Sequence, residues 1–445
     1  MSDMKKATAS PKPDLQSMSK DDLVEKVRQL EAHVIQLKNL LQKAQGEKSG
    51  NKKPEKNKPF DFTKYNTRHV ALKIAYLGWD YQGFAVQEDT DKTIEAALFA
   101  ALHRTKLIES RETSSYHRCG RTDKGVSALG QVISIDLRTN LLEGKGVKVR
   151  ENGTAAERMG DKSTEIPYVF ILNKVLPPEI RVLAWCPVDE DFSARFSCRK
   201  RTYKYFFPKG DLDIEQMKKA AKLLEGEHDY RNFCKMDVGN GVINYMRRIT
   251  STDITVIDSD ASCHDYQMCE LTVVGQAFLW HQIRCIVAVL CLIGQGLENT
   301  EIIEELLDIE RNPRKPQYSM ASELPLNLFE CEFEDVSWQC EGNWHEEIVK
   351  HLQELWAQHS TKTTMLKRML DTLENSNSDD KNASGDQKND SPVINQNSWL
   401  LPGNKPRTYK RLMQREKCES LEERLQQLAK RRKISPEEMK NIETS

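Results

Sequence analysis

Arg118-Cys119-Gly120-Arg121-Thr122-Asp123-Lys124-Gly125-Val126-Ser127-Ala128 runs almost directly into Gln131-Val132-Ile133-Ser134-Ile135-Asp136-Leu137, and the fold turns on how these two pieces are read. The second alternates apolar and polar side chains, which predicts a half-buried strand. The first is then a glycine-punctuated loop that delivers Asp123 beside a strand, since glycine lets backbone take positive φ or approach a ligand closely. Arg121 lies two residues before Asp123 and can share its side of an extended segment. A carboxylate between two arginines has its charged form favoured, so Asp123 is expected to be ionised at neutral pH, as a nucleophile or a weak base. A surface turn stapled by an ion pair has the same composition, and the loop alone does not separate the two readings.

On the N-terminal side, Val70, Leu72, Ile74 and Tyr76 alternate as a strand that breaks at Gly78. Thr93 then opens a helix whose Ile94, Ala97, Leu98, Ala101 and Leu102 form one apolar stripe. On the C-terminal side, residues 140–166 read as a polar insertion loop, and Tyr168–Leu172 and Ile180–Trp185 as strand-like runs. Arg201-Thr202-Tyr203-Lys204-Tyr205-Phe206-Phe207 is strongly β-prone, with Tyr203, Tyr205 and Phe207 on one face and Thr202, Lys204 and Phe206 on the other. Interleaved rings and cations suit RNA, where bases stack on aromatics and cations meet phosphates; an ordinary amphipathic edge strand looks the same. Leu212–Leu224 predicts a helix, Glu270–Val274 a strand, and Cys285–Ile293 a helix apolar on every side. Arg284, at the start of that helix, needs an anionic partner. His281 reads as an ordinary satisfied histidine. A short helix over Glu301–Leu307 and a strand within Lys315–Phe333 close the core.

The flanks differ in character. Residues 1–18 are expected to be disordered, and 19–45 to form a coiled-coil helix with Leu23, Val27, Leu30, Val34, Leu37, Leu41 and Ala44 as its seam. Residues 46–65 form a basic linker. Residues 336–374 are expected as a helical extension and 375–445 as a largely disordered charged tail. In that tail, Lys430-Arg431-Arg432-Lys433 reads either as a nuclear import signal or as a solvated charge run.

Composition bounds the class. The chain has 445 residues, a net charge of -1 and 38% hydrophobic residues, which predicts two to three domains and a part that is not packed core. Eleven cysteines without a CxxC pair fit no common zinc spacing and read as reduced thiols, hence a protein of the nucleus or cytoplasm. The N-terminus lacks the apolar core of a signal peptide, and the nine-residue run at Cys285–Ile293 is too short to span a bilayer, so a membrane is not an expected partner.

Gly120-Arg121-Thr122-Asp123-Lys124-Gly125-Val126-Ser127-Ala128 resembles the signature of the TruA family of tRNA pseudouridine synthases. Three further blocks are similar to that family in its own order. They are Tyr76-x-Gly78-x-x-Tyr81-x-Gly83-x-x-x-Gln87, the Phe192–Tyr205 block with Arg195, Arg201 and Tyr203, and Phe278–Arg284. The resemblance covers roughly residues 66–335 and is strongest to the eukaryotic branch that modifies positions 38 and 39 of the tRNA anticodon stem-loop. Leu77 and Trp280 depart from the bacterial members.

This resemblance implies an α+β fold: two ferredoxin-like halves, 66–190 and 191–335, whose antiparallel sheets join around a central cleft. It implies an isomerase with Asp123 as catalytic carboxylate, Arg284 as that aspartate's partner and Tyr203 stacked on the target base. Arg121 would help flip the uridine out. Arg195, Arg199, Lys200, Arg201, Lys204, Arg247 and Arg248 are candidates for a phosphate-facing rim. No cofactor and no metal are implied; the expected partners are tRNA and a second copy in a homodimer. The same chemistry at other tRNA or mRNA uridines, or a non-catalytic tRNA-binding or chaperone module on the same scaffold, are the alternatives.

Overall fold

The computed structural model describes residues 60–151, 153–257, 266–340, 344–381, 399–402 and 408–432. The predicted coiled coil lies outside them, as does the linker up to residue 59. The chain divides into Met1–Phe60 and Asp61–Ser445, and the sheet, its helices and the cleft all belong to the second unit.

Ten strands form one sheet. They are β1 (Asn66–Tyr76), β2 (His117–Arg118), β3 (Ser127–Thr139), β4 (Val147–Lys148), β5 (Ile180–Pro187), β6 (Lys200–Pro208), β7 (Gly226–Asp229), β8 (Met246–Val256), β9 (Met268–Gly275) and β10 (Leu326–Glu332). The helices are α1 (Ile94–Arg104), α2 (Tyr168–Asn173), α3 (Ile214–Lys222), α4 (Gln282–Gly294), α5 (Ile302–Leu307), α6 (Trp344–Lys381) and α7 (Leu421–Arg432). The sheet order is β4-β1-β3-β10-β6-β9-β8-β7, with β2 on β3 and β5 on β1. The class is α+β.

β10 decides the geometry. It is the last strand of the sheet in sequence, yet it lies at its centre, parallel to β3 and antiparallel to β6. Leu328 pairs with Ala128 on one side and Tyr203 on the other, so the strand after the Asp123 loop and the strand carrying Tyr203 are one strand apart. A Cβ on Gly130 would stand 2.5 Å from the Phe329 carbonyl oxygen, so the β3–β10 approach needs a residue without a side chain. Two apolar cores flank this seam. One gathers β1, β3, β5 and α1, the other β6, β8, β9, α3 and α4, and Tyr203 packs against both.

Three segments differ from the sequence reading. β3 is buried along nearly its whole length rather than on one face, because Ile133, Ile135 and Leu137 pack into an apolar core while Ser134 and Asp136 on the other face are covered by the Ala194 N–H at 3.1 Å and the Ser115 hydroxyl at 2.8 Å. Tyr168–Asn173 is a helix; Tyr168, Val169, Leu172 and Asn173 are buried, a one-sided helical spacing, with Tyr168 edge-on to Trp185 at 5.0 Å. Short apolar runs do not declare their period, which is why a strand is the natural expectation there. Within the tail, residues 408–432 are not a loose charged run. Leu412, Leu421 and Leu425 are buried in the second core, and the Leu412 N–H donates to Glu298 at 2.6 Å. A few apolar contacts spread over a charged segment are enough to hold it, and composition hides them.

The apolar run at Cys285–Ile293 is helical as predicted, and every residue of α4 is buried. At about 2 kcal/mol per fully buried aliphatic side chain, α4 is a large contributor to the second core. Its first turn is therefore a fixed platform, and that turn carries Arg284. No helix among the described residues is long and apolar enough to cross a membrane.

Candidate active site

The signature loop is held by the block around the end of β1. The Tyr76 hydroxyl bonds the Thr122 hydroxyl at 2.7 Å, the Gly78 N–H donates to Ser127 Oγ at 3.0 Å, and the Gly125 N–H donates to the Tyr81 carbonyl at 3.1 Å. The Phe84 N–H donates to the Thr122 carbonyl at 3.1 Å. Gly78 lies so close that a Cβ there would meet the Val126 carbonyl oxygen at 1.9 Å. From below, the buried Gln131 amide pairs with both backbone groups of Gly120, at 3.2 and 3.0 Å. The spacing of tyrosines and glycines between 76 and 83 is thus a cradle for the Asp123 loop.

Asp123 lies on the floor of a cleft of about 1800 Å³, with its side chain 19% exposed. Trp280 Nε1–H donates to Asp123 Oδ1 at 3.1 Å, and Arg284 Nη1 is 3.9 Å from Oδ2. The Arg284 guanidinium is held mainly by other groups: Nε donates to the Ala321 carbonyl at 2.7 Å and Nη2 to Glu323 Oε2 at 2.8 Å. Arg284 therefore faces Asp123 from a fixed seat, not in the two-point clamp that a lone arginine–carboxylate pair adopts.

The electrostatics correct the sequence argument. Burial raises the Asp123 pKa above its ordinary value, and Arg284, the Trp280 N–H and Lys235 only partly offset it, while Glu323 adds to the rise. Neither flanking arginine is a main influence on Asp123. Arg118 is bound to the buried Glu95, and Arg121 is exposed, with Arg118, Arg195, Glu95 and Asp237 as charged neighbours. His281 begins α4 at φ 63°, with Nε2 3.5 Å from Asp123 Oδ2. Burial and then Arg284 push it down to about 4, so at neutral pH this contact joins a neutral imidazole to the carboxyl group.

Tyr203 stands in the same cleft, edge-on to Phe278 at 5.1 Å between centroids, and burial pushes its phenol far up. Asp123, Tyr203, Arg284 and Arg121 thus line one cavity, as do Arg195, Arg201 and Arg247. Arg201 is buried and already used: it donates to the carbonyls of Gln276, Cys119 at 2.9 Å and Arg195 at 3.2 Å, which makes it a brace of the wall rather than a free cation. Lys204 is not brought to the site. Strand alternation sends it to the opposite face of β6 from Tyr203, where it pairs with Glu270 at 2.8 Å. Lys200 and Arg199 are likewise paired, with Glu332 and Glu334.

Four participants escaped the sequence reading. Trp280 and His281 belong to the same block as Arg284; His281, expected as an ordinary satisfied histidine, instead stands 3.5 Å from Asp123 Oδ2 with its buried Nδ1 lacking a hydrogen-bond partner. Glu323 and Lys235, whose Nζ lies 4.3 Å from the Trp280 ring centroid, carry no local signal at all.

This α+β scaffold buries one carboxylate beside an arginine and an indole N–H in a cleft edged with cations, an arrangement that suits an enzyme acting on a polyanionic substrate. Residues 220–334 match the protein family described as tRNA pseudouridine synthase. The bovine (Bos taurus) tRNA pseudouridine(38/39) synthase is 48% identical over 435 residues, covering 95% of this chain and 90% of that protein. The human (Homo sapiens) protein of the same name is 49% identical, covering 93% of this chain and 88% of the other. The Saccharomyces cerevisiae tRNA pseudouridine(38/39) synthase is 44% identical, covering 66% of this chain and 64% of the other. The chain belongs to the tRNA pseudouridine synthases of the TruA type, and it is an isomerase.

Proposed function

We propose that this protein isomerises uridine to pseudouridine at positions 38 and 39 of the tRNA anticodon stem-loop, with Asp123 as the catalytic carboxylate. What carries the assignment of the site is the placement of Asp123 on the cleft floor, under the Trp280 N–H and facing Arg284, with Tyr203 in the same cavity. In the reaction the N1–C1′ bond breaks, the uracil turns, C5 bonds C1′, and the C5 proton leaves while N1 gains one; nothing is oxidised or reduced. Asp123 supplies a preorganised anion close to C1′, stabilised in its charged form by Arg284 and Trp280. Tyr203 offers a ring against which the detached base is held. Its raised pKa makes the neutral phenol the form that meets the base.

A base in a stem-loop must leave its stack to reach this floor, at a cost of a few kcal/mol. Arg121 and Arg195, both exposed at the cleft, are the groups we assign to the flipped nucleotide and its phosphates. We read the finer fold as two ferredoxin-like halves, supported by the two apolar cores that meet at Tyr203. We propose a homodimer, supported by the exposed Trp356, Leu366 and Leu373 on α6, and residence in nucleus and cytoplasm, supported by the free cysteines. Sedimentation and imaging of the tagged protein test these two.

The decisive experiment is Asp123→Asn, followed by site-resolved mapping of pseudouridine in tRNA and by tRNA binding. The expected result is loss of product at both positions with binding within a few-fold of the parent. Turnover retained in that variant would remove Asp123 from its role.

A further inference from the structure

Three cysteines far apart in sequence meet in the wall of the cleft. Cys119 follows β2, Cys198 lies in the turn before β6, and Cys331 is on β10, where it pairs with Arg201. All three are buried, their sulfurs lie within 4.8 Å of one another, and Cys119 Sγ is 3.3 Å from Cys331 Sγ. Buried cysteines usually serve as small apolar side chains. These three instead converge from separate segments, with their sulfur atoms close enough together to share one ligand.

We propose that Cys119, Cys198 and Cys331 form a structural site for one thiophilic d¹⁰ cation, Zn²⁺ or Cu⁺. Three sulfurs at this separation surround a point at thiolate–metal bonding range, about 2.3 Å from each with small side-chain adjustments. Charge balance supports the same reading. The buried Arg201 guanidinium lies in this wall and donates to the Cys119 carbonyl at 2.9 Å. A dication with three thiolates, or a monocation with two thiolates and a thiol, is neutral once Arg201 is counted. Binding would release the corresponding thiol protons to solvent, with no change of oxidation state.

Such a cation ties together three pieces of the active site: the start of the Asp123 loop, the turn carrying Arg195, and β10. Arg201 braces two of the same pieces through its bonds to the Cys119 and Arg195 carbonyls. The ion would be a positioning device, remote from the reacting atoms, and would hold the Asp123 loop at a fixed distance from β6.

The test uses the full-length protein purified without chelator and assayed by elemental analysis. About one zinc or one copper per chain is expected, which also separates the two metals. Cys331→Ser should fall to background, while Cys340→Ser, at an exposed cysteine, should retain the ion. Because Cys331→Ser could fail to fold, a second measurement uses the parent chain. Chelator-stripped, reduced protein is titrated with Co²⁺ and should develop a thiolate-to-metal charge-transfer band that saturates at about one equivalent. The proposal is overturned by a folded parent chain that carries neither zinc nor copper as purified and shows no such band, by equal metal in Cys331→Ser and the parent, or by a Cys119–Cys331 disulfide in the purified protein.

Discussion

Replacing Trp280 with Phe isolates the hydrogen bond that keeps Asp123 charged. A smaller aromatic ring remains beside Lys235 and His281, and the Nε1–H donor, 3.1 Å from Asp123 Oδ1, is lost together with part of the indole's contact surface. A hydrogen bond to a charged group contributes about 1.5–3 kcal/mol when dry. The Asp123 side chain is 19% exposed and Arg284 remains beside it, so solvent and the second cation compensate in part. A net loss of about 1 kcal/mol is the working figure, which raises the carboxyl pKa by about 0.7 unit. The sign comes from the chemistry. With Asp123 in the role proposed above, the active form is the anion; burial lifts its pKa, so activity is expected to fall as pH drops through that value. Removing a donor to the anion lifts the pKa further, so activity is lost at a higher pH. The assay is tritium release from C5-labelled uridine in tRNA, with kcat/KM followed across pH. The acid limb should move up by about 0.7 unit while the plateau at higher pH stays within about twofold. An acid limb that does not move, or a plateau that falls without a shift, would refute the assignment of Trp280 as the donor that sets the ionisation of Asp123.

Gly78→Ala would drive a methyl group into the Val126 carbonyl, so the Asp123 loop must shift; turnover is expected to fall about 100-fold with the second core intact by near-ultraviolet dichroism. Glu95, buried at 1% and bound by Arg111, Arg118 and the Tyr116 hydroxyl, anchors α1 to the loop strand. Burial alone would raise its pKa, but the Val86 N–H and its side-chain partners hold it below the ordinary value, so its stabilisation is present above the unfolded pKa and lost as pH falls through the folded one. Glu95→Gln should cost about 3 kcal/mol in urea unfolding at neutral pH and flatten the acid dependence of stability. Arg195→Ala should weaken tRNA binding and reduce the salt slope by about 0.7–0.9, whereas Lys204→Ala, on the far face of β6, should leave both unchanged. Equal effects of these two variants would contradict the placement of the cleft.

Local pattern carried the elements whose burial is one-sided or complete. β1, α1, α3 and α4 were legible because their apolar spacing declares both period and face. Arg284 was legible as an anomaly, since an arginine on an apolar helix demands an anion. Its strongest partner was not: Glu323 is 39 residues away, and no rule of spacing links them. Lys204 misled because its sequence neighbours are basic and aromatic, while the two-residue period of a strand puts it on the opposite side of the sheet from Tyr203.

From the residue order alone came the individual helices and strands and the loop-then-strand delivery of a carboxylate, which are properties of segments a few residues long that hydrogen-bonding period and glycine spacing express locally. The α+β class and the grouping of Asp123, Tyr203 and Arg284 came from the resemblance of four ordered motifs to the TruA family. The tertiary structure decided everything that depends on β10 slipping between β3 and β6. That insertion brings Asp123 and Tyr203 into one cleft, places Glu323 beside Arg284, and gathers three distant sulfurs into one wall. It also reverses the expected pKa of Asp123, because burial and the direction of each guanidinium are fixed by strands that meet only when the whole chain has closed.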